Sequence, residues 1–335
     1  MKVGIAGVGF MGSMHAAGWK ATAAKIAGFC GETVEECKPI AAQYQTGIFQ
    51  DFKTMLSAVD IVDICTPTHL HFDMVLQAAA AGKHIICEKP LALTIQQGQE
   101  MIAVCKKAGV HFYVAHVVRF FPEYALAQNT VASGQIGNIG EVRLSRGSFR
   151  PKKPVGNWFL DEKKSGGMML DLMIHDFDYA RLIGGNVESV FAKKITTGHP
   201  DAPVDYGMAV LKHHVGTISH IVGAWAYPPP TFRTSFEISG DAGMIDFSSE
   251  GTAPILNLIQ KLGADAPDVG LPASPVIESP YTTQIKEFYN AIVENKAARV
   301  SAEDGLAAVQ IALAAIESAN TGKAVYLPSL PEVSA

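Results

Sequence analysis

Three short stretches hold residues whose types and spacing suit chemistry. Gly7-Val8-Gly9-Phe10-Met11-Gly12 sets three glycines at the spacing of a phosphate-cradling turn. Cys87-Glu88-Lys89-Pro90 places an ammonium at the end of an otherwise apolar run. Asp171, His175 and Asp178 recur at i, i+4 and i+7, the spacing of one helix face. A glycine turn that opens a helix offers free N–H groups and a partial positive charge to a pyrophosphate. A partly desolvated ammonium beside a nicotinamide ring can hold a substrate oxygen or relay its proton. An imidazole that titrates near neutrality can take the proton of an alcohol as the alcohol is oxidised. Burying two carboxylates with it on one face is costly unless they are paired or used. Each stretch also has an ordinary alternative: a Gly-rich turn, a surface Lys-Pro turn, and a solvent-facing His–Asp pair.

Context separates these alternatives. The glycine turn follows the apolar run Val3–Ala6 and precedes a helical pattern, as a dinucleotide fingerprint requires. Phe10 and Met11 lie inside the turn and count with Gly7, Gly9 and Gly12 as cofactor-binding. Glu32 follows the second strand at about the distance where an acid holds the ribose hydroxyls of NAD. No Lys or Arg stands beside it for a 2′-phosphate. Gly31 leaves room for one, so the expectation is NAD, with NADP still open. Cys65-Thr66-Pro67 ends a strand at the carboxyl edge, where ligands bind in open α/β sheets. Arg150 and Trp158 precede the Asp171–Asp178 helix and are read as lining the substrate pocket.

Other chemistries fall away. None of the nine tyrosines has Lys four residues on, which removes the Tyr-x-x-x-Lys mechanism. The five cysteines form no CxxC pair, and His213 and His214 are adjacent, so no metal site is expected. A net charge of −5 without a basic run argues against nucleic acid and anionic membrane as partners. The first strand begins at once, no apolar run is long enough to span a bilayer, and the cysteines read as reduced thiols. The expectation is a cytoplasmic protein.

The elements that must position these residues follow from periodicity. The runs Val3–Ala6, Ile26–Cys30, Ile61–Cys65, His84–Cys87 and His111–Ala115 read as strands buried on both faces, with helices at Met14–Ala24, His69–Ala81 and Ile95–Ala108. Such alternation means an α/β protein opening with a doubly wound parallel Rossmann sheet, assigned to residues 1–118. Residues 119–335 carry a helix at Pro122–Ser133 and then long alternating segments: Glu141–Phe149, Val187–Thr196, Tyr206–His213, Thr217–Trp225, Thr231–Ser239 and Met244–Phe247. They predict an α+β domain on a large, mostly antiparallel open sheet. One helix is expected over Gly167–Leu182, an irregular stretch over 251–279, and two final helices over Thr282–Glu294 and Ser301–Ala319. Ser301 to Asp304 forms a capping box for the last. Segments such as Ile218–Tyr227 are apolar on both sides, so a homodimer or homotetramer is expected.

Taken together, these motifs resemble the glucose–fructose oxidoreductase / inositol dehydrogenase family (Gfo/Idh/MocA) along essentially the whole chain. The resemblance rests on Glu88-Lys89-Pro90, the Thr66-Pro67 to His71 segment, and Arg119-Phe120 followed by Gly134-Gln135-Ile136-Gly137. It continues through Ser165-Gly166-Gly167, Asp171 to Asp178, and Ser301 to Gly305. The resemblance implies that Lys89, Asp171 and His175 are the catalytic trio. It implies that Thr66, Pro67, His71, Glu88, Lys89 and Arg119 lie along the cofactor. The substrate implied is a sugar or cyclic polyol, with Lys89, Asp171, His175 and Asp178 around it. Two other outcomes occur among relatives: glycoside cleavage through transient oxidation and elimination, and a non-catalytic sensor of nicotinamide or sugar.

Overall fold

The computed structural model describes residues 1–151, 158–199, 202–250 and 278–328. Two compact units emerge. The first comprises Met1–Pro122 with the described part of Ser274–Leu306, and the second the described parts of Glu123–Ala273 and Ala307–Val333.

The first unit is built on strands β1 (Lys2–Ala6), β2 (Lys25–Cys30), β3 (Gly47–Ile48), β4 (Ile61–Ile64), β5 (His84–Glu88) and β6 (Phe112–Ala115). Every pairing is parallel, in the order β3-β2-β1-β4-β5-β6. Strand order therefore reverses beside β1, and the loops after β1, β4 and β5 emerge at one edge. All four residues of β4 and of β6 are buried, the pattern of a sheet covered on both faces. The first helix runs Phe10–Lys20 rather than Met14–Ala24, Val34–Tyr44 is a helix the sequence does not announce, and polar caps start two of the helices. Thr33 accepts from Glu36 N–H ahead of Val34–Tyr44, and Thr94 accepts from Gln97 N–H ahead of Ile95–Ala108.

Helix Pro280–Glu294 groups with this first unit, so the chain returns to it rather than dividing once at 118/119. Ile285, Phe288, Ala291 and Ile292 on its apolar face share a core with Trp19, Tyr113 and Phe120. The last helix, Ala302–Thr321, has the expected capping box: Ser301 and Asp304 exchange backbone-to-side-chain hydrogen bonds at 3.1 Å each way.

The second unit holds β7 (Ile139–Ser148), β8 (Val187–His199), β9 (Ala202–His213), β10 (Ile218–Trp225), β11 (Phe232–Gly240), β12 (Gly243–Ser248) and β13 (Val325–Tyr326). Their order is β12-β11-β7-β10-β9-β8-β13. β7 and β10 run parallel, and the other pairs are antiparallel. Burial alternates along β10, so one face is core and the other is open. The irregular stretch expected at 251–279 lies outside the described residues except for its end.

The helix expected over Gly167–Leu182 is in fact two, Gly167–Asp171 and Ile174–Gly184. At the break Met173 N–H bonds to the Met168 carbonyl five residues back, and the Met173 carbonyl accepts from both Asp176 and Phe177 N–H. The loosened turn rests on a glycine saddle. Gly207 and Gly223 pair across β9 and β10, and a Cβ at either would run into Met168 or Met173. Helix Ile174–Gly184 is then tied to β7 by Arg146, which grips the Asp176 carboxylate with two hydrogen bonds of 2.8 and 3.0 Å. Both partners are buried. Arg146→Met should lower the unfolding free energy by about 3–5 kcal/mol, because it strands a buried carboxylate. Denaturant unfolding measures this, and an unchanged midpoint would show that the tie does not hold the helix.

Candidate active site

The glycine turn meets the geometric demands of a dinucleotide cradle. Gly7 has φ +93°, and a Cβ there would lie 2.4 Å from the Cys65 carbonyl oxygen. A Cβ on Gly12 would lie 2.0 Å from the Gly7 carbonyl oxygen, so helix Phe10–Lys20 can pass this close only on glycine. Gly9 differs: nothing lies within 4 Å of its Cβ position. This open side faces no packing partner, and no side chain caps the helix at Gly9. The first-turn N–H groups are thus left for an anion, and the residues fit a pyrophosphate. Phe10 is exposed and Met11 half-buried at the same turn. The two positions separate in a test. Gly12→Ala should destabilise the fold by about 1–3 kcal/mol. Gly9→Val should leave Tm unchanged and weaken NADH binding by about tenfold or more. Equal NADH affinity in Gly9→Val would place the cofactor elsewhere.

Glu32 is exposed just past the end of β2. Gly31 beside it is less open than the sequence suggested, since a Cβ would meet Cys37 Sγ at 2.9 Å and Val8 at 3.2 Å. Thr66 and Pro67 are half-buried after β4, and Lys89 is half-buried directly after β5. His71 is wholly enclosed, with Nδ1 2.9 Å from the Pro90 carbonyl and Nε2 2.9 Å from the Thr66 carbonyl. It ties the loop after β4 to the loop after β5. Burial pushes its pKa down, against the pull of the two carbonyls. Arg119 is also buried; its Nη1 donates to the Arg299 carbonyl at 2.9 Å and lies 3.4 Å from Asp304. These contacts make it a strut to the start of the last helix.

In the second unit, every residue from 167 to 181 is buried except His175. Asp171 closes the first short helix, while His175 and Asp178 sit three apart on the next and share a face. The turn at Leu172–Met173 replaces the uninterrupted i, i+4 step expected between Asp171 and His175. Arg150 lines a cleft of about 180 Å³ together with Gly167, Met168, Thr196 and Asp205. Its Nη1 donates to the Pro203 carbonyl at 2.7 Å. Trp158 stacks on Phe159, another lining residue, at 4.0 Å.

Two buried polar residues under the turn, His15 and Asp63, are not among the candidates that motif spacing points to. A signal was present. Asp63 is the one charge in the strand Ile61–Ile64, and His15 stands three residues beyond Gly12 on the first helix.

A parallel sheet with an open phosphate cradle, a lysine at its carboxyl edge and a lone accessible histidine in a buried helical segment define a nicotinamide-dependent oxidoreductase. Residues 1–116 match the model of the oxidoreductase family with an NAD-binding Rossmann fold, and residues 124–246 match the GFO/IDH/MocA C-terminal domain. The chain belongs to the Gfo/Idh/MocA family. It is 28% identical to 1,5-anhydro-D-fructose reductase of Ensifer adhaerens over 80% of each chain. It is 27% identical to myo-inositol 2-dehydrogenase of Thermotoga maritima over 98% of each. A levoglucosan dehydrogenase in complex with NADH and L-sorbose superimposes with a TM-score of 0.83 at 26% identity, covering 98% of this chain and 99% of that one. Among the described residues, no helix is long and apolar enough to cross a membrane.

Proposed function

We propose that this protein oxidises a secondary alcohol of a sugar or cyclic polyol, or reduces the matching ketone, with NAD. The observation that carries this reading is that His175 is half-buried in a segment, 167–181, whose other residues are all buried. A helix held by a buried Arg–Asp tie and resting on a glycine saddle holds this one half-buried imidazole in a fixed position. Bound NAD supplies the two-electron acceptor. Gly7, Gly9 and Gly12 seat its pyrophosphate, with Phe10, Met11, Thr66 and Pro67 alongside, and Glu32 takes the ribose hydroxyls. Lys89 donates a hydrogen bond to the alcohol oxygen and stabilises charge that develops there. His175 accepts the hydroxyl proton during oxidation and returns it during reduction. Asp171 orients His175, and Asp178 holds a second hydroxyl of the substrate. The named relatives act on anhydro-sugars and inositols, which supports the substrate class. Mixing the protein with NAD and a panel of inositols, aldoses and anhydro-sugars, and following NADH absorbance, tests the reading. Formation of NADH with one class is the expected result, and silence across the panel with tight NADH binding would contradict it.

The working form is a homo-oligomer joined through the open sheet face. Met208 (51% exposed) pairs with Val222 (47%) across β9 and β10, and Ile195 (59%) pairs with Tyr206 across β8 and β9. So continuous an apolar surface calls for cover by a second copy. Light scattering at micromolar concentration should give a dimer or tetramer mass; a monomer mass would refute this. The five free cysteines suit a reducing compartment, and the cytoplasm is the proposed location.

A further inference from the structure

Beneath the glycine turn lies a buried polar cluster with no part in the roles above. The Nδ1 atom of His15 lies 3.0 Å from both carboxylate oxygens of Asp63. Trp19 donates its indole N–H to Asp63 at 2.6 Å, and the Cys65 thiol donates to Asp63 at 3.5 Å. On the far side of the ring, Nε2 lies 3.0 Å from Glu88 Oε1. The other Glu88 oxygen accepts the backbone N–H of Lys89 at 3.1 Å. Nδ1 is hydrogen-bonded to Asp63, whereas Nε2 meets Glu88 at ion-pair distance without the alignment of a hydrogen bond; a carboxylate on each side of a dry ring favours its charged, doubly protonated form. His15, Asp63 and Cys65 also bring three ligand-type atoms within 4.8 Å. Hydrogen bonds already engage all three, so a chain of donors and acceptors explains the cluster better than a cation site does.

We infer that His15 is a positioning residue: an imidazolium clamped between Asp63 and Glu88 that fixes the Glu88 carboxylate, and through it the main chain from which Lys89 projects. The inference rests on the role proposed for Lys89. Burial opposes the charged ring, yet Asp63 and Cys65 outweigh it and hold the His15 pKa well above its ordinary value. The titratable groups facing Glu88 besides His15 are His71, Cys65 and Cys87. Burial pushes both thiols up, which keeps them protonated, and pushes His71 down against the pull of its two carbonyl partners. Without His15, two carboxylates would face each other in a dry interior, and one must take a proton or turn toward water. Glu88 would then release the Lys89 amide.

The test compares full-length His15→Leu, His15→Gln and Lys89→Met, using NADH titration, kinetics on the polyol that passes the panel, and amide hydrogen exchange. In His15→Leu, kcat should fall by about 100-fold, as for a reacting group displaced by about an ångström. KM and NADH affinity should hold within about twofold. The loss should deepen toward acid pH. Exchange should speed up at the Lys89 amide but not in β1 or β4, a local change that general destabilisation would not produce. His15→Gln keeps a donor toward Glu88 and should recover part of kcat. Full activity in His15→Leu with Lys89→Met inactive would overturn the inference alone; full activity in both would remove the role of Lys89 as well. If His15→Leu does not fold, ¹⁵N-histidine spectra of the wild-type protein decide. A His15 ring protonated on both nitrogens at pH 8 supports the clamp, and a neutral ring overturns it.

Discussion

Replacing Lys89 with methionine should lower kcat by about 1,000-fold and leave NADH affinity within about twofold. The asymmetry follows from where the residue sits. Lys89 directly follows the last residue of β5, half-buried, at the carboxyl edge of the parallel sheet. The cradle of Gly7, Gly9 and Gly12 follows β1 and does not depend on the ammonium. Methionine preserves most of the stem, so packing should survive while the donor to the developing oxyanion disappears. A preorganised donor in a water-poor site is worth about 3–4 kcal/mol in the transition state, and a proton relay adds to that. Lys89→Arg keeps the charge but not the compact point donor, and should recover little. Steady-state kinetics with a parallel NADH titration checks the split. Equal losses in both would recast Lys89 as a cofactor anchor.

His175→Gln should lower kcat by about 100- to 1,000-fold at neutral pH. The mutant rate should climb with rising pH, because hydroxide can replace a missing base. Stability should barely move, since His175 is the one residue between 167 and 181 that escapes burial. That contrast with Arg146→Met is informative. Arg146 and Asp176 hold the helix, whereas His175, next to Asp176 in sequence, is presented by it. Measuring Tm and the pH–rate profile of both variants separates scaffold from chemistry. A large Tm loss in His175→Gln would show that the ring is structural.

Much of this was legible from residue type and spacing. The glycine turn, the buried strands and the capping box at Ser301 follow from local rules that need no tertiary information. The split at Leu172–Met173 was not legible, because both short helices keep the same apolar spacing. Met168 and Met173, which flank the break, lie against Gly207 and Gly223, distant in sequence. β3 was passed over because two residues carry no periodicity. The docking of Pro280–Glu294 on the first unit depends on Ile285 meeting Gly18 and Tyr289 meeting Trp19, pairings about 270 residues apart. Among the candidate site residues, Lys89 and His175 stand out by type and position in the sequence. Spacing did not show that Arg119 and His71 also brace the fold, through hydrogen bonds to the Arg299, Thr66 and Pro90 carbonyls.

The central claim is direct transfer between a carbinol carbon and the nicotinamide. The most direct measurement uses the polyol that passes the panel, deuterated at its reacting carbon, with NAD and the wild-type protein. Mass spectrometry of the recovered NADH should show one deuterium per molecule, with none lost to solvent. Deuterium retained in the sugar while a glycosidic bond breaks, or washed out into water, would contradict the account.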